Sequence, residues 1–198
     1  MRINQFDIDR VRKICNHEAG HYVVARENNF RTHGISSLFN YPKGHSGDSG
    51  IEPWNPSISS IPDIEDYLER RVQVLYAGAI AEAMDIEGNY NSDYSLNEWR
   101  NGSSQNDYAK FRELIHVLRN IRHPETDDEQ TAQKQLDEID QMLIQKTVAI
   151  VHKRIKLIHG IGDTLFRKVQ EYQVKTTFAN TQLWLIAFAV LISRFLSY

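Results

Sequence analysis

A run of five residues, His17-Glu18-Ala19-Gly20-His21, limits what this chain can fold into more than any other. It is an HExxH pattern, and its chemistry works only on a helix. At 3.6 residues per turn, side chains four apart lie about 6 Å from each other on one face, so two imidazoles can grip a single ion. His17 and His21 are therefore candidate metal ligands. Glu18 lies near the same face, where its carboxylate is placed to take a proton from a water activated by the metal rather than to bind the metal itself. The surrounding residues agree with a helix from about Asp9 to Glu27, because Val11, Ile14, Cys15, Ala19, Tyr22, Val23 and Ala25 recur at helical spacing. Gly20 costs a helix interior about 1 kcal/mol relative to Ala, which points to a close approach by another element. The plain alternative is a helix carrying two satisfied histidines and a solvated glutamate.

A hydrolytic metal site of this kind needs a third protein ligand and one open position. The metzincin arrangement, GxxH directly after the second His, is absent, since Tyr22 to Phe30 holds neither Gly nor His. Another element must deliver the third ligand. Ser104-Gln105-Asn106-Asp107 fits the [ST]xx[DE] pattern that opens a helix, and Phe111, Leu114, Ile115 and Leu118 continue it to about Asn120. On spacing alone, Asp107 reads as part of that cap. A second helix is expected from about Asp63 to Met84, with Ile64, Leu68, Val72, Leu75 and Ala79 as its apolar stripe. Residues 33–41 have strand character and 42–50 form a Gly-rich turn leading to Ile51. Residues 85–105 read as a long polar loop, and 126–172 as two further helices broken at Gly160-Ile161-Gly162. The expected fold is mainly α: a helical bundle carrying the HExxH site, with a small β-sheet on one flank.

Three blocks then stand in order: HEAGHYVV from His17, LYAGAIAEA from Leu75, and GSSQNDYAKF from Gly102. Together they resemble the peptidase domain of FtsH, the M41 family of zinc metallopeptidases, whose blocks read HEAGHA, LGGRAAEE and GASNDLERAT. The likeness spans roughly Arg12 to Tyr172. It implies a Zn²⁺ held by His17, His21 and Asp107, with Glu18 as the catalytic base and Glu82 orienting a ligand histidine from outside the ligand set. It also implies that a strand borders the site, so a substrate is expected to lie extended along Ile35 to Leu38. The 85–105 stretch is longer than the family's corresponding link.

The implied activity is that of a zinc-dependent endopeptidase. Two other readings share the motif: a non-catalytic peptide-binding or protease-regulating protein on a peptidase scaffold, and a zinc hydrolase of non-peptide amides. FtsH joins its peptidase to an ATPase, but no GxxxxGK[ST] occurs in these 198 residues. The expected substrate is therefore unfolded or flexible polypeptide, free or delivered by a separate ATPase partner.

With 23 Lys and Arg against 26 Asp and Glu, the chain has no basic field for nucleic acid. Cys15 is the sole cysteine, which excludes an intrachain disulfide and a CxxC metal site. His116, His123, His152 and His159 lack a partner at ligand spacing and read as structural or solvated. The amino terminus is polar, without the apolar core of a signal peptide, so a cytoplasmic location is expected. The peptidase domain is expected over 1–177 and an apolar segment over 178–198. That segment, with its run from Leu183 to Ile192, reads either as a tail anchor holding the protein to the cytoplasmic face of a membrane or as a docked terminal helix.

Overall fold

The HExxH residues lie in helix α1, Ile8–Glu27, whose burial differs from that of a surface helix. Every residue from Asn16 to Ala25 is buried, so α1 is covered on all sides. Small residues permit this: a Cβ at Gly20 would stand 2.6 Å from the Ala77 carbonyl oxygen, leaving no room for even a methyl group. Asn29 takes a left-handed backbone (φ 60°) and the Phe30 amide donates to the Ala25 carbonyl at 2.9 Å, which ends the helix by satisfying a terminal carbonyl. These relations come from a computed structural model that describes residues 7–39, 45–52, 58–169, 176–183 and 185.

The element packed on Gly20 is α2, Ile61–Glu82. Ser60 caps it, its hydroxyl accepting from the Asp63 amide while the Asp63 carboxylate accepts from Ser59 and Ser60. Short helix α3, Ser92–Asn101, follows, then α4, Gln105–Arg122, and α5, Glu129–Lys168. The stretch expected to be a loop thus contains α3, begun by Asn91, whose side chain accepts from the Tyr94 amide. Its Trp99 is buried against Tyr76 and Phe111, with ring centroids 5.2 and 5.6 Å away. Burying a ring of that size stabilises the docked helix by roughly 3 kcal/mol, enough to order a segment whose local sequence signals only turns.

The break expected at Gly160-Ile161-Gly162 is also absent, since α5 runs unbroken for 40 residues. Its buried stripe, from Ile139 through Leu143, Thr147, Val151, Ile155 and Ile158 to Leu165, packs along α1 and α2. Gly162 serves close packing rather than termination, because a Cβ there would collide with Asn16 of α1. Neighbouring helical hydrogen bonds offset its intrinsic penalty of about 1 kcal/mol.

Five short strands, and a helical turn over residues 180–183, complete the described chain: β1, Arg31–Thr32; β2, Gly34–Phe39; β3, His45–Asp48; β4, Ile51–Glu52; and β5, Thr176–Ala179. β1 and β4 pair antiparallel, and a three-stranded antiparallel sheet has the order β3-β2-β5. In it Ser37 faces Gly47 on one side and Thr176 on the other, while Ile35 faces Phe178. β2 is therefore central. The edge expected at Ile35 to Leu38 is occupied on both sides, and among the described strands the outer edges belong to β3 and β5.

The expectation of an apolar helix from residue 178 is corrected at its start. Phe178 and Ala179 belong to strand β5, and Phe178 is buried. Strand pairing on β2 uses the backbone groups that a helix would need for itself. Residues 184 and 186–198 lie outside the described residues. No described helix is long and apolar enough to cross a membrane.

Candidate metal centre

His17 and His21 project from one face of α1 towards Gly78 of α2, where an added Cβ would stand 2.6 Å from the Nε2 atom of each ring. Each ring is fixed by its other nitrogen. His21 Nδ1 lies 2.7 Å from the Val74 carbonyl oxygen, which can only accept, so Nδ1 carries the proton. His17 Nδ1 lies 2.7 Å from Glu82 Oε1. Both Nε2 atoms are then left with lone pairs. They point at each other across 2.9 Å, an arrangement that calls for a proton or a metal ion between two such acceptors.

Asp107 supplies the third donor. It lies in the first turn of α4, but the N-cap Ser104 makes no side-chain cap bond, and the Asp107 carboxylate turns to the histidines instead. Its Oδ2 is 3.1 Å from His21 Nε2 and 3.5 Å from His17 Nε2. Ligands about 2.0–2.1 Å from a tetrahedral ion are about 3.4 Å apart, so separations of 2.9, 3.1 and 3.5 Å match a three-ligand set around one small cation. Among the described residues this is the one group of three His, Cys, Asp or Glu side chains placed to hold a metal ion. The residues present therefore fit a metal, although the fit does not identify which.

The surroundings keep the carboxylates ionised and the rings oriented. Burial works against ionisation of Glu82, yet hydrogen bonds from His17, Ser103 and Tyr94 outweigh it and lower its pKa. Burial likewise opposes charge on Asp107, and the two imidazoles prevail, holding its carboxyl well below the ordinary range. For His17, burial disfavours the charged ring, but the Asp107 and Glu82 carboxylates more than compensate and raise its pKa well above the ordinary value, so a proton on Nε2 competes with a metal ion for that lone pair. Two carboxylates, Glu82 buried and Asp107 partly buried, flank the imidazoles and call for positive charge at their centre, which protons or a metal ion can supply.

Glu18 stands beside the donor set without joining it. It is 5% exposed and lies in a cleft of about 330 Å³ with His17, His21 and Asp107. Ser49, in the bend after β3, donates to Glu18 Oε2 at 2.9 Å, and the β3 backbone at Gly47 packs against the rest of the carboxylate. Glu18 is thus held by the sheet while the three donor side chains are held by helices.

His17, Glu18, His21, Asp107 and Glu82, all predicted from sequence, meet here. Gly78, Ser49, Arg71 and the Val74 carbonyl were not foreseen. A glycine inside a helical pattern, as at Gly20, was the available signal for Gly78; a lone Ser in a turn gives none. Two other histidines have partners away from the site: His159 donates to the Met84 carbonyl at 3.1 Å, and His33 pairs with Glu52 at the surface. Cys15 is fully buried, with its thiol pKa pushed up by burial, and takes no part. No family model matches the chain, and none of the curated proteins does.

Proposed function

We propose that this chain is a zinc-dependent endopeptidase of the FtsH-like, M41 type. The observation that carries the reading is the convergence of two imidazole Nε2 atoms and one Asp107 oxygen within 3.5 Å, beside a buried glutamate that is not one of the donors. His17, His21 and Asp107 would hold the Zn²⁺. When bound, the ion supplies Lewis acidity that polarises a carbonyl and lowers the pKa of water towards about 7.

The protein's own groups perform the proton transfers. Glu18 takes a proton from the attacking water and returns it to the departing amine, so that one peptide bond is exchanged for one acid and one amine. Ser49 restrains the carboxylate rotor through Oε2, which limits the geometries the base samples. Glu82 and the Val74 carbonyl fix the tautomers of the two histidines. β3, an outer strand among the described ones, takes over the docking role first expected of β2: an extended peptide can add to that edge beside Glu18. A cleft of about 330 Å³ admits an extended strand and excludes a folded domain, which favours flexible or unfolded polypeptide as substrate.

Zinc content measured alongside casein cleavage tests the reading. Glu18→Gln is expected to retain zinc and lose cleavage, and His21→Ala to lose both. Cleavage retained by Glu18→Gln removes the base assignment. Zinc without cleavage in the unaltered protein favours the binding or regulatory alternative.

A further inference from the structure

Arg71 is the feature of the cleft that hydrolysis does not use. It sits on α2 with its side chain lining the same cavity as His17, Glu18 and Asp107, partly withdrawn from solvent. Among the described residues it makes no hydrogen bond and no ion pair. Its neighbour Arg70 is spent, binding Asp66 at 2.8 Å and the Asn28 carbonyl at 3.1 Å. A guanidinium has five N–H donors, and those of Arg71 are not sealed away, so they are free to meet a ligand entering the cleft. Burial draws the Arg71 pKa down, with nearby Asp107 opposing the shift. Lys110, exposed on α4, lines the same cavity and is likewise without an ion pair among the described residues.

The spacing of these two cations from the donor set is informative. Arg71 precedes Gly78, against which both imidazoles pack, by seven residues of helix, about 10 Å along the axis. Lys110 follows Asp107 by three residues, about 5 Å along α4. An extended peptide advances about 3.3 Å per residue, so both cations stand one to three substrate residues from the bond being broken. A planar fork of donors matches a carboxylate in two parallel hydrogen bonds, and a flexible ammonium adds charge from the rim.

We infer that Arg71, supported by Lys110, binds a peptide carboxylate in the cleft, from either an acidic side chain or a free chain terminus, and so sets which bond meets Glu18. The inference rests on the peptidase reading for its substrate class, but not on turnover for its test. Zinc-loaded Glu18→Gln protein is titrated with fluorescent ten-residue peptides and followed by anisotropy. One arm compares Glu with Gln stepped through an amidated peptide. The other compares free with amidated termini in a peptide lacking acidic side chains. At least one arm should show about tenfold tighter binding of the carboxylate form, as expected for a charge-assisted pair. Arg71→Gln in the same background should bring that ratio close to one with zinc content unchanged, and Lys110→Gln should reduce it severalfold. Lys110 is exposed, so its variant remains informative if Arg71→Gln fails to fold. Absence of discrimination in both arms, discrimination that survives both substitutions, or no binding at millimolar peptide each overturns the inference. Carboxylate-selective binding by a protein that, with Glu18 intact, cleaves nothing would sink the peptidase reading and leave the recognition site standing.

Discussion

Replacing Gly78 by Ala separates helix stability from metal binding in one experiment. In a helix interior this change ordinarily stabilises by about 1 kcal/mol, because glycine forgoes more backbone freedom on folding. At Gly78 the new methyl would stand 2.5 Å from His17 Cε1 and 2.6 Å from the Nε2 atoms of His17 and His21, about 0.8 Å short of the 3.4 Å at which ordinary contact begins. The rings cannot rotate freely to yield, since His17 is tied to Glu82 and His21 to the Val74 carbonyl, each at 2.7 Å. One or both must shift by several tenths of an ångström, against a tolerance of about 0.2 Å in metal–ligand distances. Zinc affinity, read by competition with a chromophoric chelator, should fall by about a hundredfold, as when a ligand loses its orienting partner. Thermal melting of the metal-free protein should change by no more than a few degrees. A Gly78→Ala protein that binds zinc within twofold of the original would refute the proposed position of the site against α2.

Two further outcomes follow from the surroundings of the site. Glu82→Gln keeps the shape but removes the charge that orients His17, and zinc affinity in the same competition assay should drop about 10- to 100-fold with the fold intact. Away from the site, Glu69 bridges Arg122 at 2.5 Å and Lys146 at 2.7 Å; burial raises its pKa, the two cations outweigh that, and the net is below its ordinary 4.5. A lowered carboxyl pKa contributes stability above the unfolded value and loses it as pH falls through the folded one. Denaturant midpoints between pH 5 and pH 3 should therefore decline less steeply in Glu69→Gln, by about 1 kcal/mol over that range, and parallel curves would remove the assignment.

The histidine pair was legible because its chemistry is local. His17 and His21 need only one turn of helix to meet, so five residues specify the pair. Asp107 could not be placed by spacing, since a capping box and a ligand look the same in sequence; only the fold brings its carboxylate beside both histidines. The helices were readable where apolar periodicity was strong, as in α2 and α4. They were misread where tertiary packing overrides local preference. Gly162 looks like a breaker until Asn16 is seen against it, and the polar 85–105 stretch looks like a loop until Trp99 finds Tyr76 and Phe111. The centrality of β2 was hidden because its second partner, β5, is far along the chain.

That pairing also has a consequence for synthesis. Ile35 emerges from the ribosome long before Phe178, its neighbour in the finished sheet. Throughout that interval one side of β2 has no native partner, and closing so long a span carries an entropic cost that a short hairpin does not. The helix bearing the histidines can form early, but the platform beside it is completed only when the last described strand arrives. A nascent chain therefore carries its paired histidines without the finished sheet that packs against Glu18.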